Sequence, residues 1–217
     1  SVAFAEVLKT NMVLTSLDLR FNGVVGRAAD LMAQCTQVSL ERAAAELIEL
    51  LNEDREYVPA LVCLSQCYLM LGQPPKARNY LKRVAKMTYL PEYADDFERG
   101  WLMLSDVFVA SAKYDLAEEL CKRCLVSNTS CAKAWEFLGL VKEKEMSYHD
   151  AASHYEKAWK FESEASAAVG YRLSFNHLKA KRYVEAISVC HKVLSLYPDY
   201  PRIREDVLDK ARESLRL

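Results

Sequence analysis

The sequence predicts an all-α fold, a solenoid of antiparallel helical hairpins closed by a C-terminal capping helix. Three observations carry this. Residues 98–131 and 132–165 abut and repeat one pattern: Trp101, Leu104, Ser105, Phe108, Ala117, Cys121 and Cys124, then Trp135, Leu138, Gly139, Lys142, Ala151, Tyr155 and Ala158 at the same offsets. Hydrophobic residues make up 51%, while Gly and Pro number six each, so there is ample core and little loop. Strand signals are scarce after residue 20. A helical pair of this length cannot bury its own apolar face. Stacked neighbours bury it, and the stack leaves an extended surface suited to holding other proteins.

The period is 34 residues, and the order Trp, Leu, small residue, aromatic, then Ala with a bulky residue four later is the tetratricopeptide signature. Ser105, Gly139, Ala117 and Ala151 mark where paired helices approach most closely. Four hairpins align: 58–91 (Leu61, Leu64, Ser65, Tyr68, Gly72, Ala77, Leu81, Val84), 98–131, 132–165 and 167–200 (Leu173, Ser174, His177, Ala186, Cys190, Val193). Between the first two lies the insertion Glu92 to Phe97, expected to lengthen a helix or bulge a loop. Pro198 and Pro201 end the last hairpin, because proline cannot continue a helix interior. Residues 201–217 follow as the capping helix, with Ile203, Val207, Leu208, Ala211 and Leu215 as its apolar stripe.

Upstream, residues 31–57 form a partial hairpin. Ala43, Leu47 and Leu50 give a second-helix pattern within Glu41 to Leu51, preceded by a less regular stripe of Ala28, Leu31, Met32 and Cys35. Residues 1–30 are a leucine-rich-repeat-like stub: Leu14, Leu17, Leu19 and Asn22 match L-x-x-L-x-L-x-x-N, after the amphipathic stretch Phe4-Ala5-Glu6-Val7-Leu8. One such unit can neither pair its strand nor bury its leucines. Disorder, refolding as a helix on the array, the end of a further domain, and a join between unrelated segments all stay open. The first residue is Ser and no basic-then-apolar leader is visible, so the sequence reads as a piece of a longer polypeptide without a secretory signal.

A formal net charge of −1 supplies no field to recruit nucleic acid. The longest clean apolar run, Ala60 to Leu64, is far short of the roughly 20 residues of a bilayer span, so direct membrane insertion is not expected and the chain reads as soluble. Cys63, Cys67, Cys121, Cys124 and Cys190 fall at packing positions, consistent with unpaired thiols in a reducing cytosol. Cys121-x-x-Cys124 resembles half of a metal site, but Cys131 and His149 do not supply a matching second pair; both it and Cys63-x-x-x-Cys67 read as core. His149, His154, His177 and His191 are scattered, without a nucleophile arrangement. No catalytic residue, metal ligand or cofactor is expected. The basic residues Lys76, Arg78, Lys82, Arg83 and Lys86 read as a solvated outer face or as a docking patch for an acidic partner. Asn128-Thr129-Ser130 fits a glycosylation triplet, of no consequence in a cytosolic chain.

The inward positions of the first helices are the candidate protein-binding groove: Val62, Gln66 and Leu69; Arg99, Leu102, Asp106 and Val109; Lys133, Glu136 and Leu140; Tyr171, Phe175 and Leu178. Tetratricopeptide domains that grip C-terminal carboxylates use Lys, Arg and Asn there. Arg99 and Lys133 are present, but the asparagines are missing, and Asp106 and Glu136 would repel a carboxylate. So apolar a groove suits an amphipathic helix or a partner's own helical stack.

The stretches Ala77-Arg-Asn-Tyr-Leu-Lys-Arg-Val-Ala-Lys-Met87, Asp96-Phe-Glu-Arg-Gly-Trp101, Lys113-Tyr-Asp-Leu-Ala117, Ala132-Lys-Ala-Trp-Glu136, Lys179-Ala-Lys-Arg-Tyr183 and Asp209-Lys-Ala-Arg212 resemble the C-terminal end of the tetratricopeptide repeat protein 21 family, from about residue 31 onward. Residues 1–30 depart from that resemblance. It implies a non-enzymatic scaffold, a subunit of the intraflagellar transport A complex acting in retrograde ciliary transport and admission of membrane cargo. The implied partners are the other subunits of that complex, with ciliary membrane-protein cargo or adaptors besides. The implied location is the cytoplasm and the cilium, at its axoneme and base. The alternative is a soluble adaptor that binds peptide tails, in the manner of chaperone cofactors.

Overall fold

The computed structural model describes residues 21–216, and among them every regular element is helical, with no strand. The chain divides into two compact units, Ser1–Met103 and Leu104–Leu217, and each buries an apolar core of its own.

The first unit contains α1 (21–33), α2 (Gln37–Glu53), α3 (Val58–Met70), α4 (Pro74–Lys86) and the beginning of α5 (Ala94–Ala110). Thr36 caps α2. Its hydroxyl accepts from the Ser39 amide at 3.1 Å, and the Ser39 hydroxyl accepts from the Thr36 amide at 3.2 Å, which satisfies two donors a bare helix start would leave unpaired. Ala43, Leu47 and Leu50 are buried. In α1, Ala28 and Met32 are buried and Leu31 is half-buried. The expected stripe stops there: the helix ends at residue 33, and Cys35 is an exposed left-handed residue, φ 53°, in the turn that delivers Thr36 to its capping position. Of the leucine-rich motif, Leu14, Leu17 and Leu19 lie outside the described residues. Asn22 sits on helix α1, where its side-chain oxygen accepts the Tyr57 hydroxyl at 2.6 Å. Its side chain therefore ties one helix to the start of another.

α3 is apolar nearly all round, and Leu61, Val62 and Leu64 are fully buried. α4 has one buried stripe, Ala77, Leu81 and Val84, on an otherwise charged helix. The insertion starts inside a 3₁₀ turn, Pro91–Tyr93, and continues into α5, which has 17 residues against 13 in α3. The inserted residues thus lengthen a first helix. They also bring Phe97 against Tyr89 and Trp101, with ring centroids 5.4 and 5.6 Å away.

The second unit continues with α6 (Tyr114–Ser127), α7 (Ala132–Lys144), α8 (Tyr148–Phe161), α9 (Ala167–Lys179), α10 (Tyr183–Leu196) and α11 (Asp209–Arg216). The small residues stand at the close approaches. A Cβ on Gly139 would lie 2.9 Å from three carbons of the Tyr155 ring, so α7 and α8 pack ring against backbone. The Ser105 hydroxyl reaches the Ala117 carbonyl at 3.5 Å. Beyond α10 the chain enters a π turn, Arg204–Leu208, before α11. Val207 and Leu208 face the core together with Ile203 and Ala211, as their shared apolar stripe predicts. Leu215, expected on the same stripe, is 51% exposed, since the stripe leaves the core one turn earlier.

The turn inside each hairpin repeats as well. Gly72, Ala112, Met146 and Lys181 are left-handed, at φ 68°, 55°, 60° and 60°. The following amides of Gln73, Lys113, Ser147 and Arg182 donate back to Tyr68, Phe108, Lys142 and His177 at 2.8, 2.8, 2.9 and 2.9 Å. This is the Schellman closure that ends a helix and reverses the chain.

Candidate protein-binding surface

In the first unit, α1, α3 and the start of α5 enclose an open cleft of about 740 Å³. Gln66 and Arg99, both on the expected groove, line it. Leu69 and Leu102 are half-buried. Val62 is a correction: it is fully buried, because Gly100 lacks a side chain and α5 comes close enough that a Cβ there would lie 3.3 Å from Val62 Cγ2. It supports the core and offers a partner nothing. Residues not singled out from sequence complete the cleft: Met32, Cys63, Met70, Asp96 and Met103. Burial pushes the Asp96 carboxyl above its ordinary value, and Arg99 opposes that.

In the second unit, Asp106 and Lys133 are exposed and Val109, Glu136, Leu140, Tyr171, Phe175 and Leu178 are half-buried. Leu140, Tyr171, Phe175 and Leu178 rest on the core beneath while keeping one side accessible. Glu143, Ala168, Tyr171, Arg172, Phe175 and Tyr200 surround a cleft of about 420 Å³. Its wall is aromatic: Tyr171 stands 6.5 Å from Phe175 at 21° and 6.0 Å from Tyr200 at 43°. The Tyr171 hydroxyl donates to Asp206 at 3.2 Å, and burial with that carboxylate raises its pKa. Asn176 donates to Glu143 at 2.8 Å, and Arg172 pairs with Glu143 at 3.8 Å and donates to the Tyr155 hydroxyl at 3.3 Å. These bonds fix the floor, so the aromatic wall is preorganised.

Lys133, a cation retained from the carboxylate-gripping pattern, pairs with Glu136 at 2.6 Å and lies 5.3 Å from the Phe137 ring centre. Lys76 and Arg83 of the basic face lie over Tyr68 and Tyr80, at 5.2 and 5.8 Å. The histidines stand apart: His154 on the Trp135 ring, His177 in the core, His191 beside Arg212, His149 beside Asp150. Sequence reasoning missed Tyr200 because it lies in the proline-flanked loop read only as a terminator. Met32 and Cys63 were missed because they read as core.

A family model described as "Tetratricopeptide repeat protein 21 C-terminal ARM domain" matches residues 5–212. The chain belongs to the tetratricopeptide repeat protein 21 family. The match begins well upstream of residue 31, so the stretch read as a leucine-rich stub falls largely within the family domain. Tetratricopeptide repeat protein 21B of Mus musculus is 53% identical over 86% of this chain, and protein 21A of the same species is 46% identical over 86%. The homolog from Caenorhabditis elegans is 36% identical over 76% of the chain. The chain spans 14% of the length of the two mouse relatives. Among solved structures, MamA is similar with a TM-score of 0.63 at 19% identity, covering 81% of this chain and 92% of that one. YrrB, described as a TPR protein with an unusual peptide-binding site, also has a TM-score of 0.63 at 19% identity, covering 89% and 91%. These likenesses establish the all-α, tetratricopeptide-type fold. No helix among the described residues is long and apolar enough to cross a membrane.

Proposed function

We propose that this family domain is a non-enzymatic scaffold that docks other helical subunits of the intraflagellar transport A complex, serving retrograde ciliary transport and the admission of membrane cargo. One observation carries the reading: first-helix positions in both units present half-buried apolar and aromatic side chains (Leu69 and Leu102; Val109, Leu140, Tyr171, Phe175 and Leu178), of which Leu140, Tyr171, Phe175 and Leu178 rest on the core of the second unit. Such side chains gain about 25 cal/mol per Å² when a partner covers them, and fixed aromatics lose little entropy in the process. The peptide-tail alternative draws less support, because Lys133 is already paired with Glu136.

The test is affinity purification of the domain from ciliated cells beside a variant carrying Leu102→Glu and Phe175→Glu, with mass spectrometry of what co-purifies and a melting curve for each protein. Recovery of complex A subunits by the parent and their loss from an equally stable variant is expected. Equal recovery by both would move the interface elsewhere, and recovery of chaperones alone would favour the adaptor.

A further inference from the structure

The first unit gathers positive charge on one helix. From Tyr57 to Pro91 the chain has no Asp or Glu, and its only Lys and Arg residues, Lys76, Arg78, Lys82, Arg83 and Lys86, all stand on α4. At about 100° per residue, Lys76, Asn79, Lys82, Arg83 and Lys86 share about one third of the helix circumference. That face lies opposite the buried Ala77, Leu81 and Val84, and all five of its residues are exposed. Among the described residues, none of the α4 cations is ion-paired. Arg42 on α2, Lys122 and Arg123 on α6 and Lys160 on α8 each pair instead with a glutamate four residues away.

Helix stability accounts for only part of this pattern. Arg83 and Lys86 stand in the last turn, where the helix dipole favours a cation. Lys76 stands in the first turn, where the dipole disfavours one, and Arg78 and Lys82 lie between the two ends. Two of the cations are held in place: Lys76 and Arg83 lie over Tyr68 and Tyr80, whose rings stack at 5.8 Å and 11°, and Arg83 donates to the Arg55 carbonyl. At the C-terminal end of the face, Arg55, Glu56, Arg83, Lys86, Met87 and Leu90 line an open cleft of about 480 Å³, three cations and two apolar side chains against one acid.

We propose that the exposed face of α4 docks an acidic segment of a protein partner, with a bulky apolar side chain of that segment seated beside Met87 and Leu90. Charge complementarity selects the sign of the occupant, and the extent of the charge selects its class. From Lys76 to Lys86 the cations cover about 15 Å of helix axis, the length of about three turns of a partner helix or about five extended residues. Exposed charges are screened beyond about 8 Å at physiological salt. Without α4, the rest of the chain carries a net charge of −6. A long polyanion, whether nucleic acid or a sheet of anionic lipid, would run past α4 onto a remainder of like charge, whereas a short acidic segment meets α4 alone. α4 also buries its apolar stripe, so it has none to sink into a bilayer. This face is separate from the first-helix positions proposed above, and either surface can fail without the other.

The 217-residue chain is titrated into a fluorescein-labelled synthetic peptide of about ten residues, Glu and Asp throughout with two leucines at one end, a length that covers the face in either conformation. Anisotropy is expected to show saturable one-to-one binding that weakens as salt is raised. Lys76→Gln, Lys82→Gln and Lys86→Gln combined keep good helix formers on α4 and weaken binding by about tenfold or more. Lys113→Gln, Lys144→Gln and Lys181→Gln combined remove as much charge from exposed lysines of the second unit, and they change binding by less than about twofold. Leu90→Ser weakens the leucine-bearing peptide and spares one made of Glu and Asp alone. Circular dichroism melts establish that each variant is folded. Phosphatidylserine vesicles and single-stranded polyuridylate serve as competing anions, and both are expected to bind more weakly than the peptide. No binding of the peptide by the parent, equal losses in the two triple variants, an unchanged affinity of Leu90→Ser for the leucine-bearing peptide, or tighter binding of vesicles or polyuridylate through the same lysines would each overturn the assignment.

Discussion

Gly139→Val tests whether ring-on-backbone packing sets the spacing of the α7 and α8 pair. A bare Cβ at residue 139 would already lie 2.9 Å from Cγ, Cδ1 and Cε1 of Tyr155, whose ring is fully buried. Valine adds two more carbons on the same side. Overpacking of this kind costs about 1–3 kcal/mol, and two branched carbons against an aromatic face belong at the upper end. Replacing a helical glycine returns only a few tenths of a kcal/mol when the newcomer is β-branched. The net loss is about 2–3 kcal/mol, which for a chain of this size lowers the melting midpoint by roughly 4–12 °C. Circular dichroism melts and urea titrations measure it. Gly26→Ala is the internal control: it lies on α1 with nothing within 4 Å of its Cβ position, so it gains about 0.4–1 kcal/mol. Tyr155→Ala makes room for the valine, so the double variant is more stable than the sum of the single losses by about 0.5–3 kcal/mol. A Gly139→Val protein that melts with the parent, or strict additivity with Tyr155→Ala, would refute the assignment of the close contact.

Burial, then Arg182, lowers the pKa of His177 from 6.5, and burial, then Lys157, lowers that of His154. The unfolded chain therefore binds more protons, and stability held above about pH 6.5 falls as pH drops below it; melting from pH 7.5 to 5.0 should show this, with a shallower slope in a His154→Gln, His177→Gln variant. Glu118 is held below its usual range by hydrogen bonds from Lys122 and Lys142, and it joins α6 to α7 through the 2.9 Å contact with Lys142. Lys142→Met should cost about 1 kcal/mol or less, and the difference from the parent should shrink in molar salt; a cost that salt leaves unchanged would assign the effect to packing. Met146 is 74% exposed and left-handed at φ 60°, so Met146→Gly should be neutral to stabilising by up to about 1 kcal/mol, whereas Gly72→Ala at the equivalent turn should destabilise; equal losses at both sites would contradict the repeated turn geometry.

The sequence alone determined the hairpins. A 34-residue period survives substitution of almost every exposed side chain, because what recurs is the pattern of small and bulky residues needed to bring two helices together, as at Gly139 opposite Tyr155 and Ser105 opposite Ala117. Resemblance to the family was legible for the same reason, reinforced by exposed residues that packing does not dictate. Only tertiary structure decided which first-helix residues reach solvent: Val62 and Gln66 sit four apart on one helix, yet one is covered by α5 at Gly100 and the other lines a cleft. It also decided that Tyr200 joins Tyr171 and Phe175, and that Met32 meets Cys63. These are contacts between elements far apart in the chain. Periodicity reports which face of a helix is apolar, while the neighbour that face meets depends on loop lengths and local turns whose energies differ by no more than a few kcal/mol.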